Sequence, residues 1–177
     1  MDRPTPINEE SPFFENEVIV TKTDLTGRIT YANHVFCRVS ELDTASALGQ
    51  QHSLIRHPDM PRAVFKLLWD RIQSGEEIFA FVKNMASSGR YYWVLAHVTP
   101  TRSASGDIVG YHSNRRKPKE SWIEAVKPIY RDLCSIEQAA ASRKDGLADS
   151  VAKLEAITQE RAGGYDPFIW SLIGGAS

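Results

Sequence analysis

The chain has 177 residues, of which 42% are hydrophobic and 24% charged, and its formal net charge at pH 7 is −1. This is enough for one domain with a hydrophobic core plus an appendage, and the balanced charge excludes a broadly basic surface for nucleic acid. Two cysteines, Cys37 and Cys134, are too few for a disulfide framework or a cysteine zinc site. No stretch approaches the roughly 20 apolar residues of a membrane span, and no signal peptide precedes the first strand. We therefore expect a cytoplasmic protein.

The first third of the chain predicts a short cap and a β-hairpin. Residues 1–16 are polar and proline-bearing, and the apolar pair Phe13-Phe14 is expected to pack on the domain. Residues 17–22 are rich in β-branched side chains, and a turn over 24–27 leads into a second strand at 28–31.

A helical middle segment separates this hairpin from three further strands. Asn33 is placed to cap a short helix, and Asp59 followed by Pro61 marks the start of a longer one that ends at Gly75. Strands are then predicted over 78–85, 91–99 and 107–114. This order predicts an α+β fold, in which a five-stranded antiparallel sheet cups several short helices.

The remainder of the chain is helical. One apolar stripe contains Trp122, Val126, Ile129, Leu133 and Ile136, with a kink expected at Pro128. A second stripe of the same spacing contains Leu147, Val151, Leu154 and Ile157, and Gly163-Gly164 is expected to end that helical stretch. The apolar tail 165–173 is expected to be a clasp on the domain or a docking segment for another protein. The predicted domains are thus an N-terminal cap (1–16), a sensor domain (17–117) and a helical extension with its tail (118–177).

Several ordered motifs make a family resemblance specific. They are Thr23-Asp24-Leu25, Ile29-Thr30-Tyr31-Ala32-Asn33, Gly49-Gln50-Gln51-His52, Arg56-His57-Pro58-Asp59-Met60-Pro61, Val82-Lys83-Asn84, Gly89, Tyr92-Trp93-Val94 and Gly110-Tyr111. Over residues 17–133 the chain resembles the PAS sensor domain of bacterial aerotaxis (energy-taxis) receptors.

That resemblance implies a PAS fold, a noncovalently bound FAD and a sensor of redox state or oxygen-linked electron flow that is not an enzyme. The residues it implies for FAD are Asn33, Arg56, His57, Asp59, Trp69 and Asn84. It also implies a separate membrane chemoreceptor or HAMP-containing transducer as partner, since the chain resembles receptors split into two polypeptides. A homodimer, and membrane association through the partner, are compatible with it.

The residue types suit the chemistry of FAD. The amide of Asn84 offers a donor and an acceptor for the ring edge, and Arg56 and His57 beside a helix start suit a pyrophosphate. Trp69 supplies an aromatic face, while Asp59 is expected to organise the loop as a helix cap or as a partner of Arg56. Most of these residues also have a purely structural interpretation: Trp69 as core, Asn33 as a helix cap and Arg56-His57-Pro58-Asp59 as a capped surface turn.

Other ligand classes leave testable traces. A haem sensor needs an axial histidine from the helix after Pro61, which contains none. A ligand-free interaction module would be favoured if Phe79 and Phe81 point inward and fill the pocket. Covalent blue-light chemistry needs a cysteine where this chain has His52. The family commonly has a tryptophan and a glycine where this chain has Ile78 and Ala80, so a pocket of different shape is expected.

Overall fold

The computed structural model describes residues 4–174; residues 1–3 of the predicted cap and 175–177 of the predicted extension lie outside the described residues. A five-stranded antiparallel sheet has the order β2-β1-β5-β4-β3. Its strands are β1 (Ile19–Thr23), β2 (Ile29–Ala32), β3 (Ile78–Met85), β4 (Tyr91–Arg102) and β5 (Ile108–Arg116). The predicted α+β fold is confirmed.

Six helices and one 3₁₀ turn complete the chain. They are α1 (His34–Ser40), α2 (Thr44–Ala47), the 3₁₀ turn His52–Ile55, α3 (Arg62–Gln73), α4 (Glu120–Ala139), α5 (Arg143–Ala162) and α6 (Tyr165–Gly174). Two glycines end helices as the sequence predicts: Gly75 has φ 91° just after α3, and Gly163 has φ 76° at the end of α5. At Pro128 the chain continues as one helix, α4.

Strand register divides the sheet into two faces, because successive side chains point to opposite sides. Arg115 pairs with Ile19 on one side and Ala96 on the other, Ala80 also pairs with Ala96, and Asn84 pairs with Tyr92. All of these residues therefore share one face. We call it the inner face, because Arg115 contacts α1 and Thr21 of β1 contacts the 3₁₀ turn.

Phe79 and Phe81 lie on the opposite, outer face, since each is an odd number of residues from Asn84 along β3. Phe79 stacks on the ring of His97 with centroids 4.1 Å apart. The inner face of β3 instead carries Ile78, Ala80, Val82 and Asn84, all buried. The two phenylalanines therefore do not point to the inner face, so the feature that would favour a ligand-free module is not present at these positions.

The N-terminal segment runs beside the start of β4. Ser11 donates its hydroxyl to the carbonyl oxygen of Val39 at 2.8 Å, and the backbone of Glu10 bridges to Tyr91. Of the two phenylalanines expected to pack, Phe13 is buried, whereas Phe14 is 59% exposed.

The described chain forms two compact units whose boundaries do not follow chain order. The first contains the residues up to Pro58 and Ile72–Pro118, and it holds the sheet, α1, α2 and the 3₁₀ turn. The second contains Asp59–Arg71 and the residues from Lys119 onward. Most of α3 therefore belongs with the C-terminal helices.

Ion pairs hold α3 inside the second unit. Glu137 of α4 accepts from the backbone N–H of Ala63 at 3.0 Å and from Nε of Arg62 at 2.9 Å. At the other end of α3, Arg71 pairs with Asp166 of α6 at 2.7 Å. The apolar tail is thus a helix within this unit, where Phe168 and Ile169 are among the buried side chains. No helix in the described range 4–174 is long and apolar enough to cross a bilayer.

Candidate functional site

A buried arginine marks the inner face of the sheet. Arg115 is 2% exposed, although arginine is almost never fully buried without a charged partner. Its Nη2 donates to Oγ1 of Thr21, and its guanidinium carbon lies 5.8 Å from the centre of the Phe36 ring. Within residues 4–174, Nε and Nη1 of Arg115 have no hydrogen-bond partner, and no carboxylate pairs with this side chain. The arginine is therefore a desolvated cation with two unused donors.

A tyrosine on the same face adds a third unused polar group. Tyr92 is 0% exposed, and its hydroxyl also has no partner in the described part of the chain. Burial raises the pKa of Tyr92, against the smaller lowering effect of Arg115, so the hydroxyl is neutral at physiological pH. Directly across the ladder is Asn84, which is 3% exposed. Native proteins rarely leave buried polar atoms unpaired, so this grouping indicates a ligand-binding face.

His52 completes the cluster from the 3₁₀ turn. Its Nε2 lies 3.2 Å from Oγ1 of Thr21, and its ring centre lies 6.4 Å from that of Phe36. Burial of the ring, with a further effect of the positive charge of Arg115, lowers the pKa of His52 to about 3. The imidazole is therefore neutral at pH 7, and it does not share the charge of Arg115.

Electrostatics make Arg115 the dominant feature of the cluster. Burial lowers the pKa of Arg115 to about 10, with Tyr92 opposing the shift, so the guanidinium stays charged at physiological pH. Every side chain shown in contact with it is neutral: Thr21 on β1 and Phe36 on α1. A buried cation without a counter-charge is costly, and a ligand edge rich in acceptors or negative charge would relieve that cost.

The chain brings His52 to the sheet through a docked loop. Arg28 bridges to Gln51, and the backbone N–H of His52 donates to the carbonyl of Gly27 at 2.9 Å. Gly49 makes this loop possible, because it adopts φ 77°, a left-handed conformation that glycine tolerates best. The Gly49–His52 motif thus positions a side chain beside Thr21.

The side chain of Asn33 links the backbone at the start of β1 to the start of α1 by hydrogen bonds. Its Oδ1 accepts from the backbone N–H of Val20 at 3.1 Å and of Phe36 at 3.0 Å, and its Nδ2 donates to the carbonyl of Val18 at 2.8 Å. The predicted helix cap is therefore present. All three bonds go to backbone, and a role of Asn33 toward FAD stays a prediction.

Arg56, His57 and Asn84 lie together at one end of β3. The backbone of Arg56 bridges to Asn84, and the backbone N–H of His57 donates to the carbonyl of Lys83 at 3.3 Å. His57 is buried at 3% exposure, whereas Arg56 is half-buried. The structure thus brings three of the six predicted residues to the same stretch of the first unit.

Asp59 and Trp69 belong to the second unit. The carbonyl oxygen of Asp59 accepts from the thiol of Cys134 at 3.2 Å, and Trp69 is a half-buried residue of α3. Their roles toward a cofactor stay predictions.

Four residues of the cluster were missed in the sequence: Thr21, His52, Tyr92 and Arg115. The predicted last strand ended at Asn114, but β5 extends to Arg116, which turns Arg115 inward. A signal was available for Tyr92, because it lies in the motif Tyr92-Trp93-Val94 and is an even number of residues from Ala96, which faces inward on the same strand. Among the described residues, no group of three or more His, Cys, Asp or Glu side chains could hold a metal ion.

Comparisons with known proteins agree with this architecture. The chain is 37% identical over 125 residues to the aerotaxis receptor of Escherichia coli (strain K12), covering 71% of this chain and 24% of the receptor. It is 28% identical over 99 residues to the nitrogen fixation regulatory protein of Klebsiella pneumoniae, covering 56% of this chain and 20% of that protein. The chain thus spans about a quarter or less of the length of these relatives.

Solved structures and a family model point to one fold. The dark structure of the blue-light photoreceptor Aureochrome1 LOV has a TM-score of 0.53 and 26% identity, covering 68% of this chain and 83% of that one. A LOV domain studied with a flavin analogue has a TM-score of 0.56 at 16% identity over 65% of this chain and 86% of that one, which supports the fold alone. The family model described as the PAS fold matches residues 17–113. The chain belongs to the PAS family.

Proposed function

We propose that this chain is an FAD-binding sensor of redox state or oxygen-linked electron flow, working in aerotaxis or energy taxis, and a signalling module that catalyses no reaction. The observation that carries the proposal is the buried charge of Arg115, whose two unused N–H donors lie on the same sheet face as the unused hydroxyl of Tyr92. Such groups call for a ligand with several acceptors on one edge.

A flavin fits this donor set. One edge of its ring carries carbonyl oxygens and a ring N–H, for which Arg115 supplies donors and Tyr92 and the amide of Asn84 supply a donor or an acceptor. The inner face around them is apolar, with Ile78, Ala80 and Val82 buried on β3, as a flat aromatic ring requires. When bound, FAD would supply a centre that takes up and returns electrons.

The rest of FAD finds matching chemistry in the residues that the family resemblance implies. Arg56 and His57 would hold the anionic pyrophosphate, and Trp69 would offer a stacking face. The two cysteines favour a redox sensor over covalent photochemistry: Cys37 lies on α1 and Cys134 on α4, while the 3₁₀ turn carries His52.

Output passes, in this proposal, to a separate membrane chemoreceptor or HAMP-containing transducer. The similarity to an aerotaxis receptor supports that role, and the helices from residue 119 onward offer the contact surface. Because a ligand shifts an equilibrium only by its differential affinity for two states, the helices must differ in stability between oxidised and reduced protein.

The absorption spectrum of the purified protein tests the cofactor. A two-banded flavin spectrum is expected, and denaturation should release FAD, which chromatography distinguishes from FMN. Release of FMN alone, a sharp Soret band of haem, or a colourless protein that FAD does not reconstitute would each contradict the proposal.

A further inference from the structure

We infer that Arg115 sets the redox potential of the bound flavin by binding the reduced, more negatively charged ring more tightly than the oxidised ring. This inference rests on the proposed function and adds how the same site is tuned.

The charge of Arg115 has no counter-charge in the described part of the protein. It is the only Lys, Arg, Asp or Glu side chain that is fully buried among residues 4–174. Its Nη2 donates to the neutral hydroxyl of Thr21, and Nε and Nη1 have no hydrogen-bond partner in that range. Its charge is therefore not neutralised by a carboxylate, and burial weakens the screening of that charge by bulk solvent.

Reduction adds negative charge to the flavin ring. Two electrons and one proton, supplied in a titration by dithionite and by water, leave the ring with one more negative charge than before. No bond to the protein forms or breaks. A fixed cation at the ring edge attracts the reduced form more than the oxidised form, and this difference in affinity raises the midpoint potential.

Tyr92 serves as an uncharged comparison for Arg115. Its hydroxyl is as buried and as unused as the donors of Arg115, but it is neutral. Loss of that hydroxyl should weaken the binding of oxidised and of reduced FAD by similar factors. The structure therefore offers one charged and one uncharged donor at the same face, and only the charged one should move the potential.

The experiment compares Arg115→Met and Arg115→Gln with Arg115→Lys, which keeps the charge, and with Tyr92→Phe. Lys22→Met removes an exposed cation from the neighbouring position on the other face of β1 and controls for net charge. Each protein is titrated anaerobically with oxidised FAD and with dithionite-reduced FAD. The midpoint potential of the bound flavin is measured against a reference dye. Where a variant retains FAD weakly, the ratio of its dissociation constants for oxidised and reduced FAD gives the shift of the potential from that of free FAD.

We expect Arg115→Met and Arg115→Gln to lose at least tenfold more affinity for reduced than for oxidised FAD, which is about 30 mV lower potential for a two-electron couple. Arg115→Lys, Tyr92→Phe and Lys22→Met should each change that ratio by less than about threefold. A wild-type protein that binds FAD, together with an unchanged ratio in both uncharged variants, overturns this inference alone. A wild-type protein that binds no FAD in either state overturns the proposed function as well.

Discussion

Replacing Arg115 by methionine should stabilise the protein when no ligand is bound. In ordinary cases the loss of a buried side chain with a hydrogen bond destabilises a fold. Here the removed group is a cation that the folded chain buries without a counter-charge. Methionine has a similar length and no charge, so it can occupy the same apolar surroundings.

The magnitude follows from the pKa of Arg115, which burial lowers from 12.5 to about 10. At about 1.4 kcal/mol per pKa unit, the folded state disfavours the charged form by about 3 kcal/mol. The bond from Arg115 to Thr21, which the substitution removes, contributes about 1.5–3 kcal/mol because its donor is charged. The net gain for Arg115→Met is therefore about 1 kcal/mol in the free energy of unfolding.

Urea unfolding of the flavin-free protein at pH 7.5 measures this gain. With a slope of roughly 2 kcal/mol per molar urea, the midpoint should rise by about 0.5 M. Because the chain forms two compact units, hydrogen exchange at the backbone amides of Thr21 and Tyr92 should accompany the scan, to report on the sheet alone. Lys22→Met, an exposed control, should stay within about 0.5 kcal/mol of the wild type.

A loss of 1 kcal/mol or more in flavin-free Arg115→Met would refute this reasoning. It would mean that the charge of Arg115 is compensated inside the protein, and that Arg115 stabilises the fold and is not kept free to bind a ligand.

Three further predictions concern the other residues of the site. Asn33→Ala should lower the free energy of unfolding by about 2–3 kcal/mol, because its side-chain hydrogen bonds to the backbone of Val18, Val20 and Phe36 are lost. A cost below about 0.5 kcal/mol, comparable to that of the exposed control His34→Ala, would contradict this prediction. The pKa of His52 is about 3 in the folded state and 6.5 in the unfolded state, so its contribution to stability is complete above pH 6.5 and falls by up to about 1.4 kcal/mol per pH unit below that. The free energies of unfolding of wild type and His52→Gln, measured at pH 7, 5.5 and 4.5, should therefore diverge as the pH falls. Parallel pH dependences of the two proteins would argue against a neutral ring in the folded state. Trp69→Ala and Arg56→Ala should each weaken FAD retention in a folded protein, by about 1 kcal/mol and roughly 1.5–3 kcal/mol, whereas full flavin occupancy in the double variant would make both residues structural only.

Local patterns in the sequence were sufficient for the elements and their order. The β-branched run before Thr23, the cap at Asn33, the proline-led start of α3 and the glycine after it each act over a few residues, so propensity and turn chemistry determine them. The prediction of β3 over Ile78–Met85 is confirmed residue for residue, because its mainly apolar run lies between turn signals at Gly75 and at Ser87-Ser88-Gly89.

Pairing between strands that are distant in sequence places the charged residue Arg115 at the site. Thr21 and Arg115 are separated by 94 residues, and they meet because β1 pairs with β5 in one particular register. A shift of that register by one residue would have turned Arg115 outward, where an arginine is unremarkable.

The sequence by itself thus determined the family, the sheet and the helix cap at Asn33. Only the tertiary structure decided that Arg115, Tyr92 and His52 share the inner face, and that α3 with Trp69 groups with the C-terminal helices. The physical reason is that burial and unpaired donors are properties of packing between distant segments, which no local pattern of residues encodes.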